Sequence, residues 1–255
     1  MAAGYEFSLS LLQAINDWQI GGNEKTARKR GLALKDACGS LPSQFKTVPS
    51  VCFRQVALGK RSVWDLLGEM SLSEKISSWT LDLVLAKDFK GGVPPEGQGF
   101  QGVIFERAPT AGEVVVNLWA LYRDNRFQEA IGRHAGTIAR FHDGIGRYGN
   151  SQSEVILEVD ALLQEDIHSL GGHSSSFDEL VFRAAFVMYG RSPTTAEVAD
   201  LKGRVRELEP VAGARWLERD STHRVLARVQ PHASDLREIK RQQERQPTAG
   251  SGDST

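Results

Sequence analysis

Short apolar runs in the middle of the chain constrain its fold more than any other feature. Turn residues, including the Gly- and Pro-rich segment 91–99, lie between runs that are rich in β-branched and aromatic residues and too short for stable helices. Each run is therefore predicted to be a strand. The runs are VCFRQV (51–56), KISSWT (75–80), FQGVIFE (100–106) and EVILEV (154–159). Residues 113–121 fit either a strand or a helix.

Both ends of the chain have apolar residues at helical spacing. This spacing predicts two helices at residues 7–18 and 23–38, and the glycines that follow each of them mark their ends. From residue 176 onward the helical spacing returns. Further helices are predicted at 62–70, 81–89 and 125–141.

These patterns divide the chain into four segments and predict an α+β fold. N-terminal helices at 1–50 precede a strand-rich core at 51–175, and a C-terminal helical extension follows at 176–240. The polar tail, residues 241–255, is predicted to be disordered because it lacks apolar residues to bury.

Composition excludes several classes of protein. In 255 residues, 31 Lys and Arg balance 32 Asp and Glu, and a net charge of −1 argues against attachment to nucleic acid or membrane by bulk charge. No apolar stretch is long enough to span a bilayer, and the first residues lack the features of an export signal. We expect a soluble, cytoplasmic protein with no membrane partner. Cys38 and Cys52 fit no metal-ligand spacing, so free thiols and no metal site are expected.

Arg54 lies in the middle of an apolar strand candidate. A buried guanidinium needs an anionic partner, and a diphosphate accepts hydrogen bonds from it through several oxygens. A structural ion pair with a nearby carboxylate is the alternative, as is a solvent-facing arginine.

Two further polar pairs lie on strand candidates. Alternation along a strand places Ser78 and Thr80 on one face, where their hydroxyls can orient a carboxylate or a ribose. The same alternation predicts that Gln152 and Glu154 face one pocket. A carboxylate there can hold a ribose hydroxyl and stabilise an oxocarbenium-like transition state, while the amide orients a nucleophile. The alternative is a solvated Gln/Glu pair on the sheet surface.

The order of these motifs resembles the mono-ADP-ribosyltransferases of the arginine-serine-glutamate class. The resemblance covers residues 48–165 and includes ISSWTLDLVLAKDF, which is similar to that family's second strand and following helix. It implies a split β-sandwich whose catalytic domain comprises the core and the N-terminal helices. It also implies that NAD is consumed as a substrate.

The resemblance assigns roles to individual residues. Arg54 would bind the NAD phosphates or nicotinamide ribose, and Ser78 and Thr80 would support the cleft. Glu154 would be catalytic, binding the ribose 2′-hydroxyl, and Gln152 would help to select the acceptor. Phe89 or Phe100 would stack on the nicotinamide, on either side of a loop at 90–99 that closes over it. Trp79 departs from the family motif by its bulk.

The acceptor is predicted to be uncharged. Because Gln152 carries no charge to pair with a guanidinium, arginine is a poor target. The resemblance associates Gln here with Asn, Gln, Cys or nucleobase acceptors. Arginines recur every seven residues and are predicted to form a basic stripe beside Tyr148, which suits RNA or DNA; a solvated face is the alternative. The arginines are Arg126, Arg133, Arg140 and Arg147.

Two other features of the sequence bear on alternative functions. The GQGFQG segment precedes a strand rather than a helix, which argues against a dinucleotide fold. Glu154 and Glu158 share a strand face, as a glycosidase-like carboxylate pair would require, but the sequence lacks a cluster of aromatic residues to bind a sugar, which argues against this function. The resemblance predicts a toxin or defence enzyme with an antitoxin or immunity partner, and a binding module without turnover is the non-enzymatic alternative.

Overall fold

The computed structural model describes residues 5–95, 100–173 and 175–245. The chain forms two compact units, each built from several segments. The first unit comprises residues 1–55, 69–86 and 104–166, and the second comprises residues 56–68, 87–103 and 167–255. The predicted core at 51–175 therefore contributes to both units.

Helices and strands are interspersed along the chain. The helices are α1 (Leu9–Ile20), α2 (Glu24–Ala37), α3 (Lys60–Glu69), α4 (Leu83–Asp88), α5 (Leu118–Leu121), α6 (Asn125–His134), α7 (Ile145–Tyr148), α8 (Phe177–Tyr189), α9 (Thr195–Arg204) and α10 (Arg219–Arg245). The strands are β1 (Cys52–Gly59), β2 (Ser71–Ser73), β3 (Ile76–Thr80), β4 (Phe100–Arg107), β5 (Val114–Asn117), β6 (Glu154–Glu158), β7 (Ala161–Leu163), β8 (Ile167–His173) and β9 (Ala214–Trp216). A mixed fold with N-terminal helices is thus confirmed.

The first unit contains the sheet that carries the predicted site. Its strands follow the order β5-β6-β3-β1, and neighbouring strands run antiparallel. Thr80 lies opposite Glu154 on one side and opposite Phe53 on the other. This register brings the three polar strand candidates of the sequence into adjacent strands.

A hydrophobic core lies between this sheet and the helices of the first unit. Helix α1 contributes Leu11, Leu12 and Ile15, which are almost completely buried against Phe127 and Ile156. Ser8 and Asn23 cap α1 and α2 by accepting hydrogen bonds from backbone N–H groups. Helix position is therefore set by caps together with apolar burial.

Cys38 and Cys52 are buried and free, as predicted. Burial raises the pKa of each thiol to about 12, although Lys46 partly opposes this for Cys38. Neither thiol is activated as a nucleophile.

Two element predictions need correction. Residues 113–121 are neither all strand nor all helix, because β5 ends at Asn117, whose side chain caps α5. The helix predicted at 125–141 ends at His134. Beyond His134 the chain continues in turns, where the N–H groups of Thr137 and Ile138 both donate to the His134 carbonyl and the N–H of Ala139 donates to the side chain of Gln13 on α1.

The second unit contains residues 100–103 of β4, strands β8 and β9 and helices α8 to α10; residues 104–107 of β4 belong to the first unit. The C-terminal extension, predicted to be helical, also contributes β9, which pairs antiparallel with β8. Helix α10 continues to Arg245, and residues 246–255 of the predicted tail lie outside the described residues. Within the described part of the chain, no helix is both long and apolar enough to cross a bilayer.

Gly144 is required by close packing against α1. A Cβ atom there would lie 2.5 Å from both the backbone O and the side-chain Oδ1 of Asn16. We expect Gly144→Ala to lower the free energy of unfolding by about 1–3 kcal/mol, as overpacked sites do. Urea denaturation monitored by circular dichroism measures this.

Gly132→Ala is the matched control. It lies in α6 with no heavy atom within 4 Å of the added Cβ, so it should be neutral or raise stability by about 0.5–1 kcal/mol through helix propensity. Equal stability of the two variants would contradict the packing seen at Gly144.

Candidate active site

Glu154, Ser78 and Arg54 lie on the neighbouring strands β6, β3 and β1. Ser78 is the link between the other two residues. Its hydroxyl donates to Glu154 Oε1 at 2.5 Å, and its backbone carbonyl accepts a hydrogen bond from Arg54 Nη1 at 2.9 Å. Strand pairing therefore assembles into one network three residues that are far apart in sequence.

Glu154 is the buried carboxylate of this network, with only 5% of its surface exposed. Oε1 accepts from Ser78 and also from Nε1 of Trp18, which lies 3.0 Å away on α1. Oε2 is buried and has no hydrogen-bond partner among the described residues. Oε1 thus fixes the carboxylate, and Oε2 is left as an acceptor.

Burial raises the pKa of Glu154 above its usual value. The hydrogen bonds from Ser78 and Trp18, and the nearby Gln19 amide, act in the opposite direction and lower this pKa. The Gln19 hydrogen bonds of normal geometry go to Gly149 and Tyr122, so Oε2 has no partner of that kind among the described residues.

Arg54 has a carboxylate partner, as the structural alternative predicted. Its Nη2 lies 3.2 Å from Oε2 of Glu74, in a pair whose side chains are largely shielded from solvent. Arg54 Nε is buried without a hydrogen-bond partner in the described ranges. The guanidinium is therefore held beside Ser78, with part of its donor capacity unused.

The faces predicted for β3 are correct. Trp79 and Ser77 are buried on one face, and the Trp79 indole donates to the Ser77 hydroxyl. Ser78 and Thr80 lie on the other face. The bulk of Trp79 is therefore accommodated on the face away from Glu154.

Gln152 does not follow the predicted alternation with Glu154. It lies in a turn before β6, and Ser153 adopts a left-handed backbone with a φ of 45°. The alternation argument requires extended backbone at Ser153, so it does not place the two side chains on one face. The hydroxyl of Thr80 donates to the carbonyl of Gln152 at 2.8 Å, which ties the turn to β3.

Sequence reasoning missed the neighbours that α1 and α5 provide for Glu154. Beside Trp18, the Gln19 amide donates to the Gly149 carbonyl and accepts from the hydroxyl of Tyr122, which caps α5 at its C-terminal end. Burial, and then the charge of Glu154, raise the pKa of Tyr122. The available signal was the spacing of Gln13, Asn16 and Gln19, amide side chains at every third position of α1.

The predicted basic stripe does not form one helical face. Arg133 is exposed in the last turn of α6, whereas Arg140 lies beyond that helix in a left-handed conformation and pairs with Asp143. Arg126 pairs with Asp124, the N-cap of α6. Because α6 ends at His134, the heptad argument does not extend to the later arginines.

Tyr148 and Arg147 lie together in α7. The Arg147 guanidinium lies 5.2 Å from the centre of the Tyr148 ring, a cation–π geometry. Tyr148 is half-buried and Arg147 is exposed. The two residues form a small aromatic and basic surface at the end of segment 139–149.

The predicted nicotinamide-stacking residues belong to the second unit. Phe89 is 42% exposed, and Lys90 lies over its ring at 5.7 Å. Phe100 begins β4, and residues 96–99 of the predicted closing loop lie outside the described residues.

The alternative carboxylate pair and the possible metal ligands do not form a second candidate site in the described residues. Glu158 shares β6 with Glu154 but pairs with Lys35 of α2 at 2.6 Å, on a partly exposed surface. Across residues 5–95, 100–173 and 175–245, no three potential ligands among His, Cys, Asp and Glu form a metal-binding group.

The raised pKa of Glu154 predicts a pH-dependent stability. Above the pKa of the unfolded chain, ionising a buried carboxylate costs folding energy, so the destabilisation grows as pH rises through the folded-state pKa. Glu154→Gln removes this cost and conserves shape. We expect it to unfold at higher urea concentrations than the parent chain at pH 7–8, with the difference shrinking toward pH 4.

Glu158→Gln is the control, since it removes only a partly exposed ion pair. It should change the free energy of unfolding by about 1 kcal/mol or less. A Glu154→Gln protein less stable than the parent chain at neutral pH would mean that the Glu154 carboxylate stabilises the fold.

No family model, curated protein or solved structure matches this chain.

Proposed function

We propose that this protein is an NAD-dependent mono-ADP-ribosyltransferase that modifies an uncharged acceptor. The network from Arg54 through Ser78 to Glu154, on three neighbouring strands, carries the proposal. The finer fold assignment, an ADP-ribosyltransferase-like split β-sandwich, is part of the same proposal. A toxin or defence enzyme acting on cytoplasmic NAD is the proposed role, with an antitoxin or immunity protein as its partner.

The unpartnered oxygen of Glu154 fits NAD as a substrate. A buried acceptor without a donor is costly, and a ribose hydroxyl supplies the missing donor to Oε2. Ser78 and Trp18 hold Oε1 at the same time, so the carboxylate cannot rotate freely. Because Glu154 is 5% exposed, substrate entry requires movement of the side chains that cover it.

In the reaction, the bond between C1′ of the ribose and the nicotinamide nitrogen breaks, and its electron pair leaves with nicotinamide. The Glu154 carboxylate stabilises the positive charge that develops on the ribose. The acceptor then forms a bond to C1′ and loses a proton. Arg54 contributes by exchanging Glu74 for phosphate or ribose oxygens of the substrate.

The neutral side chain of Gln152 supports an uncharged acceptor. We place a nucleic-acid base first, because Tyr148 offers a ring for stacking and Arg147 and Arg133 are exposed cations. Arg140 and Arg126 of the predicted stripe contribute less, because each pairs with a neighbouring aspartate. Transfer to an Asn, Gln or Cys side chain of a target protein is the alternative.

A binding module without turnover is the second candidate. The ion pair between Arg54 and Glu74 favours it, because the cation predicted to bind NAD already has a carboxylate partner. In this alternative, Ser78 and Arg54 stabilise the junction of β1 and β3, and Glu154 has no substrate.

NAD turnover tests the two candidates. We expect the purified chain to release nicotinamide from NAD, and Glu154→Gln to remain folded and bind NAD while kcat falls by about 10²–10³, typical of losing a group that stabilises transition-state charge. Release of nicotinamide is measured by chromatography. Equal rates in both proteins, or no NAD binding by the parent chain, would overturn the proposal.

Arg54→Ala and Glu74→Gln separate substrate binding from the structural ion pair, since each breaks the same pair. If Arg54 binds NAD, only Arg54→Ala raises the Kd for NAD, while both variants lose some stability. A Kd unchanged by Arg54→Ala would remove Arg54 from the site.

The acceptor is identified with radiolabelled NAD in a cell lysate that is afterwards separated into protein and nucleic-acid fractions. We expect label in the nuclease-sensitive fraction, and Arg133→Gln with Arg147→Gln should lower that labelling and flatten its salt dependence, while hydrolysis of NAD by water is retained. Arg126→Gln is the control, because Asp124 already neutralises that arginine. Label confined to protein would leave Asn, Gln or Cys side chains as acceptors.

A further inference from the structure

Three amide side chains of α1 hold the backbone of segment 139–149. Gln13 makes two hydrogen bonds with Ala139, donating to its carbonyl at 3.4 Å and accepting from its N–H at 2.9 Å. Asn16 donates to the Ala139 carbonyl at 3.0 Å and accepts from the N–H of Ile145 at 2.9 Å. Gln19 donates to the carbonyl of Gly149 at 3.2 Å.

The contacts of Asn16 are the most shielded of this set, because the hydrogen bond from Ile145 to its side chain is buried, whereas those of Gln13 are exposed. Asn16 is completely buried, and Gly144 packs so closely that a Cβ atom there would clash with it. A hydrogen bond lost at such a site leaves an unpaired buried polar group. Segment 139–149 contains one short helix and one turn of 3-10 helix, so the amides supply partners that regular structure does not.

The same helix also contacts the carboxylate of Glu154. Trp18 lies between Asn16 and Gln19 in sequence, and its indole N–H donates to Glu154 Oε1. The side-chain oxygen of Gln19 also accepts a hydrogen bond from the Tyr122 hydroxyl, which connects α1 to the end of α5. One rigid helix therefore touches both the carboxylate and the segment that ends beside Tyr148.

We propose that Trp18, Gln13, Asn16 and Gln19 of α1 form one positioning unit that holds Glu154 in register with segment 139–149, the surface that an acceptor approaches. The role of this unit in transfer rests on the proposed function. The hydrogen bonds by which it holds Glu154 and segment 139–149 do not depend on that function. Trp18 orients the carboxylate, and the three amides set the distance from that carboxylate to the acceptor surface.

Misplacement by about 1 Å can cost about 100-fold in a group-transfer rate. A loosened segment 139–149 should therefore lower transfer to a macromolecule more than it lowers hydrolysis of NAD by water. Water needs no positioning surface, so the ratio of transfer to hydrolysis reports on the unit. A purely structural role would lower stability and leave this ratio unchanged.

Trp18→Phe tests the link to Glu154, because phenylalanine keeps an aromatic ring but has no N–H donor. The indole hydrogen bond lowers the pKa of Glu154, so its removal raises that pKa further and moves the acid limb of NAD turnover to higher pH. Carbon-13 NMR of the Glu154 carboxyl measures the same titration without any activity. Trp119→Phe is the matched control, since Trp119 is a half-buried tryptophan stacked with Arg123.

Gln19→Leu tests the link to segment 139–149, and Gln13→Leu, at the more exposed edge of α1, serves if Gln19→Leu fails to fold. We expect faster amide hydrogen exchange at 139–149 in either variant, and a transfer-to-hydrolysis ratio lowered by about 10- to 100-fold. Gln128→Leu, which loses a single hydrogen bond to Tyr122, is the control.

The outcomes separate this inference from the proposed function. A parent chain that does not consume NAD overturns the function, while the NMR titration and hydrogen exchange still decide whether α1 positions Glu154 and the segment. An active chain in which Trp18→Phe leaves both the acid limb and the carboxyl titration unmoved overturns the positioning role. So does an unchanged transfer-to-hydrolysis ratio in the Gln19 or Gln13 variant.

Discussion

The burial of the Glu154 carboxylate is the constraint on which the arrangement of the first unit depends. A carboxylate shielded from water is expensive to ionise, and two donors on Oε1 offset only part of that cost. One donor comes from β3 through strand pairing and the other from α1 through packing. The sheet register and the position of α1 are therefore coupled at one oxygen atom, and Oε2 remains without a partner among the described residues.

Helix α1 packs into the hydrophobic core with its apolar side chains and binds segment 139–149 with its amide side chains. Its apolar side chains fill the core against Phe127 and Ile156, while its amides replace regular hydrogen bonding in segment 139–149. Helix α6 stops at His134 although the sequence pattern continues to residue 141. Beyond that helix, the backbone of Ala139 is held by the Gln13 side chain of α1.

Several site predictions were made from residues whose surroundings the sequence does not specify. Arg54 was expected to need an anion, and the structure provides Glu74, which follows β2 and lies outside the strand pattern that singled out Arg54. Ser78 and Thr80 share a face as alternation requires, because β3 is regular. Gln152 and Glu154 break the same rule, because Ser153 adopts a left-handed conformation that no periodicity reveals.

The sequence alone determined the strand-rich middle, the two N-terminal helices and the polar residues on β1, β3 and β6, because periodicity, caps and turn residues act over a few neighbouring positions. Tertiary structure decided which polar atoms meet. The contacts of Trp18 with Glu154, Gln13 with Ala139 and Gln19 with Tyr122 each join residues more distant than any local pattern can relate. The division of residues 51–175 between two units also depends on such long-range contacts, whose free energy is gained only when the chain has folded.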